Sequence, residues 1–204
     1  MKPQLLKLFF LLAAPAALFG ADVTVNANIT SSRTWTKGNT YILDGRVFVT
    51  DGVTLTIEPG TVIKGKVRAA QDASALVIAR GGKINASGTA ADPIIFTAEA
   101  DNLNGNLGQS DRGLWGGVVL LGRARTNTAS GQGNIEGIPT TEPLGIYGGT
   151  NDADDSGVFR YVSIRHAGSL LGANTELNGL TMGAVGSGTT IEYVEVFANA
   201  DDGF

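Results

Sequence analysis

The chain has 204 residues, 15 Lys and Arg against 19 Asp and Glu, a net charge of −4, no cysteine and 29 glycines. A mildly acidic chain without clustered Lys and Arg is a poor partner for nucleic acid or an anionic membrane. The absence of cysteine excludes both a disulfide framework and a lipid anchor on cysteine.

The first 20 residues are expected to be a signal peptide. Lys2 and Lys7 precede a short apolar run, Leu8 to Ala17, broken by Pro15, and small residues around Gly20 suit cleavage. That run is too short to span a bilayer, and no second apolar stretch of spanning length comes after it. Cleavage would remove two lysines and leave one domain's length of chain, with stability drawn from backbone ladders and packing. Residues 21–39 are expected to form a lead-in or cap, with Trp35 covering the N-terminal end of the fold.

From residue 40 onward the chain alternates short strand patterns with glycine turns, and no convincing amphipathic helix interrupts them. Val47, Val49, Leu55 and Ile57 recur as Leu76, Ile78, Ile84 and Ala86, each after 29 residues. Gly52 recurs as Gly81 at the same offset, and Gly60-Thr61 recurs as Gly88-Thr89 with a one-residue slip. Further on, Phe159 to Ile164 recurs as Ile191 to Val196 after 32 residues. Strand units at a near-constant period predict an all-β solenoid. Parallel strands stacked about 4.8 Å apart would pile like residues on like, and their crossovers should coil right-handed. The predicted fold is therefore a right-handed parallel β-helix over residues 40–204. A Greek-key sandwich would not produce matching turn glycines at a fixed offset. Two polar excursions are expected, at 98–113 and 126–157, with a strand from Trp115 to Leu121 between them.

Several segments carry a resemblance. Gly52-Val53-Thr54-Leu55-Thr56-Ile57-Glu58-Pro59-Gly60-Thr61-Val62-Ile63-Lys64 resembles a coil of exported bacterial β-helix proteins of pectin-lyase-like architecture. So do Gly82 to Thr89 leading into Pro93 to Thr97, Arg112 to Gly117, Ile135-Glu136-Gly137, and Arg160 to His166. Together they cover most of residues 35–204. The resemblance implies secretion, or display on the outer surface of a Gram-negative bacterium, with an extracellular polysaccharide or cell-surface component as partner. Relatives often continue into a C-terminal sorting domain. This chain stops at Asp201-Asp202-Gly203-Phe204 with no terminal cap in view, which is the expectation for a fragment of a longer solenoid.

The residues that bear chemistry are few. Asp152, Asp154 and Asp155, followed by Gly157, place carboxylates as Ca²⁺ prefers them. The loop lacks the distal bidentate glutamate of an EF-hand, which favours an Asx-rich turn before the strand at Val158 and leaves the cofactor as either none or Ca²⁺. With Val162 and Ile164 facing inward, Tyr161, Ser163 and Arg165 face outward. The next coil would set Tyr193, Glu195 and Phe197 beside them. Tyr161, Tyr193 and Phe197 are candidate sugar contacts, although aromatic pairs also stabilise adjacent strands. Arg165, Glu195, Asp201 and Asp202 are candidate catalytic groups for a lyase or glycosidase. Neighbouring strand residues point to opposite faces, so Asp201 and Asp202 read more simply as a turn. Arg160, Lys64, Lys66 and Arg68 are further basic candidates. His166, the lone histidine, reads as a strand-end turn or stacking residue. Trp115 reads as core. The leading reading is a non-catalytic module for adhesion or glycan contact. The alternatives are a Ca²⁺-assisted polysaccharide lyase or glycoside hydrolase, and a purely structural passenger. An enzyme requires outward carboxylates and a basic group to converge.

Overall fold

The structure is a computed structural model, and it describes residues 20–68, 70–172 and 175–204. The expected signal peptide therefore lies almost wholly outside the described residues. No α-helix occurs among the described residues, and the strands stack into a parallel β-helix with three walls.

The first wall contains β4 (Arg46–Val49), β7 (Ala75–Ile78), β10 (Gly117–Leu121) and β16 (Leu180–Gly183), paired in parallel in that order. The second is built from β2 (Arg33–Trp35), β5 (Thr54–Ile57), β8 (Lys83–Ser87) and the first half of β13 (Gly157–Arg165). The third runs through β1 (Asp22–Val25), β3 (Thr40–Leu43), β6 (Val62–Gly65), β9 (Ile94–Ala98) and the second half of β13. The last strand, β17 (Thr190–Phe197), pairs with both halves of β13.

The repeats seen in the sequence are the register of the walls. Val47 pairs with Leu76, Val49 with Ile78, Leu55 with Ile84 and Ile57 with Ala86. Phe159 pairs with Ile191 and Val162 with Val194. Inward side chains consequently form columns. Tyr41, Ile63, Phe96, Ile164 and Val196 follow one another up the third wall. Trp35, Ile57, Ala86, Phe159 and Ile191 climb the second. The columns meet in a single core, where each fully buried aliphatic or aromatic side chain contributes roughly 1.5–3 kcal/mol.

The walls meet at corners made by residues with positive φ. Tyr161 (φ 48°) bends β13 between its two halves, and Tyr193 (φ 53°) repeats the bend in β17. His166 (φ 58°) and Ala198 (φ 53°) make the next corner. Left-handed backbone at a non-glycine residue costs roughly 1–2 kcal/mol, which is offset here by unbroken parallel ladders on either side.

Residues 21–39, expected as a lead-in or cap, form the edge strands at the N-terminal end: β1 and β2 pair in register with β3 and β5, and Trp35 joins the core there, stacked on Tyr41 at 4.7 Å. Two expectations change. Ala98 belongs to β9 and is fully buried, so the first excursion begins after it. The second excursion is not simply polar. It contains the hairpin of β11 (Gly133–Asn134) and β12 (Ile146–Tyr147), and it lays Ile135, Ile138, Leu144 and Tyr147 over the outer face of the first wall. There they pack with Phe48, Val77, Val119 and Leu121 in a second apolar cluster, joined by Leu171 from β14 (Leu170–Gly172) and by Leu177. β14 is hairpinned to β15 (Thr175–Glu176).

Candidate functional site

The third wall carries the candidate site. Arg165 ends β13, Glu195 and Phe197 end β17, and the register pairs Ser163 with Glu195 and Arg165 with Phe197. All three outward candidates therefore lie on one strip. The excursion after β9 folds over that strip and closes a cleft of about 270 Å³, lined by Asp101, Leu103, Leu107, Arg165, His166, Glu195 and Phe197 among others.

The polar groups are linked. The Ser163 hydroxyl donates to Glu195 Oε2 at 2.7 Å, and Arg165 Nε donates to Ser163 Oγ at 2.9 Å. Arg165 is thus fixed by its inner nitrogen, and among the described residues its terminal nitrogens take no hydrogen-bond partner. Beneath it, Trp115 Nε1 donates to the Arg165 carbonyl at 2.8 Å. Trp115 is buried and lies across Gly65, where a Cβ would come within 2.6 Å of it. Only a glycine on β6 admits the indole that supports the arginine, so Trp115 is core, as its sequence context implied.

Asp101 is singled out by nothing in the sequence, and His166 reads there as a turn or stacking residue rather than as part of a site. Asp101 is almost fully buried; its Oδ2 accepts from Thr97 Oγ1 at 2.7 Å and its Oδ1 from the Leu103 amide at 2.8 Å. Its own carbonyl accepts from Lys64 Nζ at 2.6 Å. Burial pushes the Asp101 carboxyl up. The Thr97 and Leu103 hydrogen bonds and the nearby His166 and Arg165 outweigh it, so the group is held below the ordinary carboxylate value. His166 is buried at the strand-end corner, with its ring edge-on to Phe197. Its Nδ1 meets the Asp111 carbonyl. A carbonyl can only accept, so Nδ1 carries a proton and donates it there. His166 makes the corner, its ring meets Phe197 edge-on rather than stacking, and it also lines the cleft.

The remaining candidates lie elsewhere. Asp201 and Asp202 sit in the turn after β17 with exposed side chains, outside the cleft. The contacts there run through the Asp202 carbonyl, which accepts from the Gly179 amide at 3.2 Å and from Asn199 Nδ2 at 2.6 Å. Tyr161 and Tyr193 stack on each other at the corner, 4.4 Å apart and nearly parallel, with the Arg160 guanidinium over both rings. Arg160 also pairs with Glu192 at 3.3 Å. Each ring thus covers a face of the other, an arrangement that stabilises adjacent coils. Lys66 and Arg68 both pair with Asp44.

The three candidate metal ligands do not converge. Asp152 is bound by Arg125, Asp155 by Lys83 at 2.6 Å, and Asp154 is turned inward and buried. Hydrogen bonds from Arg125 and Lys83 are the largest influence holding Asp152 and Asp155 below the ordinary carboxylate value. Among the described residues no group of three His, Cys, Asp or Glu is placed to hold a metal ion.

Comparison with known proteins agrees with this architecture. The model of a family described as a pectate-lyase like beta helix domain matches residues 27–204. The chain belongs to that family. No curated protein and no solved structure matches it. The match to this β-helix domain begins at residue 27, between β1 and β2, so nearly every coil that builds the cleft lies within it. Membership accounts for the stacked walls, while the cleft has to be read from its own residues.

Proposed function

We propose that this β-helix domain is an exported, non-catalytic carbohydrate-contact module, and that its cleft takes a sugar unit bearing a carboxylate from an extracellular or cell-surface polysaccharide. The observation that carries the reading is the arrangement of Arg165 beside Asp101. A guanidinium anchored through Nε, with its terminal nitrogens unengaged, is built to grip a planar carboxylate in two parallel hydrogen bonds. Phe197 supplies an apolar surface for the C–H face of a sugar ring, and Glu195 can accept from its hydroxyls.

Acid–base cleavage of a glycosidic bond asks for a carboxylic acid held protonated by a raised pKa. Asp101 is shifted the other way, and both its oxygens are already engaged. It serves as a fixed negative charge that orients the loop and Arg165. Asp152 and Asp155 are occupied by cations of the protein itself, so contact is proposed to need no Ca²⁺.

One observation favours a second reading. His166 Nε2 and Arg165 share the cleft, and a lyase needs a base beside the uronate carboxylate together with a cation that stabilises the carbanion. Titration of the full chain with oligogalacturonate, with a neutral oligosaccharide as control, separates the readings. The expected result is selective binding of the acidic sugar, unaffected by chelator, weakened at least about tenfold by Arg165→Gln, with no unsaturated product. Unsaturated product that disappears in both Arg165→Gln and His166→Gln would replace contact by catalysis. Equal or absent binding of the acidic sugar would remove both.

A further inference from the structure

A second cavity, of about 290 Å³, opens where the first wall gives way to the second. Asp51, Arg80 and Arg123 follow β4, β7 and β10 on successive coils, and the second excursion brings Pro143, Leu144 and Ile146 to the same space.

Two arginines share one acid there. Arg123 Nη2 donates to Asp51 Oδ2 at 2.7 Å and lies 3.5 Å from the Arg80 carbonyl. Arg80 Nη1 donates to the Gly148 carbonyl at 2.9 Å, and among the described residues Arg80 has no carboxylate partner. Gly81 makes room for the group: at its φ of 79°, a Cβ would collide with Asp51 Oδ1 and come 2.5 Å from Arg123 Nη2. Each guanidinium is therefore anchored through one nitrogen. The other nitrogens take no partner among the described residues and, unlike the buried Arg160 Nε, they stay open to solvent. The Arg123 side chain is nearly half exposed. Two cations against one carboxylate leave a positive charge unpaired, in a chain that is acidic as a whole. Tying the excursion to the wall does not account for this. The Gly148 carbonyl takes one hydrogen bond, and Arg80 leaves most of its N–H donors unused.

We propose that this corner binds a sulfate or phosphate group, free or borne on a sugar. A tetrahedral oxyanion presents oxygens in several directions and can be held by two guanidinium forks at once. A carboxylate presents its oxygens in one plane and is satisfied by a single fork. The bound anion supplies the missing negative charge and relieves the repulsion between the two cations. Pro143, Leu144 and Ile146 offer an apolar surface to a sugar that carries the group. The site is separate from the Arg165 cleft and does not depend on the reading of that cleft.

The test is titration of the full chain, at constant ionic strength, with inorganic sulfate, inorganic phosphate, glucose-6-sulfate, glucose-6-phosphate, glucose and oligogalacturonate. The sulfate and phosphate ligands are expected to bind, and glucose is not. Tighter binding of the esters identifies a sugar-borne group, and equal binding identifies the free ion. Arg80→Gln and Arg123→Gln should each weaken binding about tenfold. Arg80→Lys keeps the charge and loses the fork, and should weaken binding several-fold at an unchanged melting temperature. Arg165→Gln should leave it untouched. No binding of any sulfate or phosphate ligand, or unaltered binding in any of the three corner variants, would overturn the proposal. So would an oligogalacturonate affinity that falls in Arg80→Gln as far as the sulfate affinity does, which would assign the corner to carboxylates.

Discussion

The first and second walls of the helix are made from strands of similar length, yet they meet solvent differently. In the second wall β5 reads Thr-Leu-Thr-Ile and β8 reads Lys-Ile-Asn-Ala-Ser, with buried and more exposed residues alternating. Its outer face is largely left to water. In the first wall β7 reads Ala-Leu-Val-Ile and β10 reads Gly-Val-Val-Leu-Leu, and every residue is buried. A parallel sheet covered on both faces requires apolar side chains at both parities. The cover is supplied by the chain between β10 and β13 and by the segment around β14. Length therefore does not tell what an excursion does. The outer parity of the strands beneath it does.

The largest expected effect tests that difference directly. Leu121→Ala, on the outer face of the first wall, should cost about 2–5 kcal/mol in chemical denaturation, as for any buried leucine. Asn85→Ala, at an exposed position of β8 on the second wall, should change stability by less than about 0.5 kcal/mol. Equal costs at the two positions would mean that the outer cover contributes nothing to the fold.

An intermediate effect concerns the loop over the candidate cleft. Asp101→Ala removes the acceptor of Thr97 Oγ1 and of the Leu103 amide, and should cost about 1–3 kcal/mol. The wild-type loop should also respond to acid. The Asp101 carboxyl lies below its ordinary value of 3.8 in the folded chain, so its contribution is complete above that value and is lost as pH falls through the lower folded value. Amide exchange at Leu103 should accelerate in that acidic window in the wild type. In Asp101→Asn the same amide should lose that pH dependence.

How much of this was legible beforehand depended on the range of the signal. Leu55 over Ile84 and Tyr161 over Tyr193 could be seen because stacking copies one coil's pattern onto the next. Arg165, Glu195 and Phe197 followed from the same alternation, since register alone brings them together. Asp101 and His166 could not be joined that way. Asp101 lies in an excursion with no counterpart in the repeat, and nothing periodic says where such a segment lands. The cover of the first wall did leave a trace. Phe48, Val77 and Val119 are apolar at outward positions, where Thr54, Thr56 and Asn85 of the second wall are polar. Comparing outward positions between walls, rather than inward ones along the repeat, would have revealed it. The carboxylates at 152, 154 and 155 read first as a turn and only second as a cation site, and Arg125 and Lys83, which reach Asp152 and Asp155 from other parts of the chain, are invisible to that local spacing.

The smallest expected effect returns to the open wall. Lys83 stands on the outer face of β8 and binds Asp155, just before β13, at 2.6 Å. This link runs between adjacent coils, and it is tempting to regard it as a clasp. Both side chains are nearly half exposed, at 46% and 43%, so water and salt screen the attraction, and each long side chain loses freedom in making it. Lys83→Ala should therefore cost less than about 1 kcal/mol at low salt, and the difference should vanish at high salt. The ladder beneath continues without it: Gly157 pairs with Ile84, and Phe159 with Ala86. A loss well above that limit, persisting in salt, would mean that the open wall is held by its surface charges, and the contrast between the two walls would then need a different physical basis.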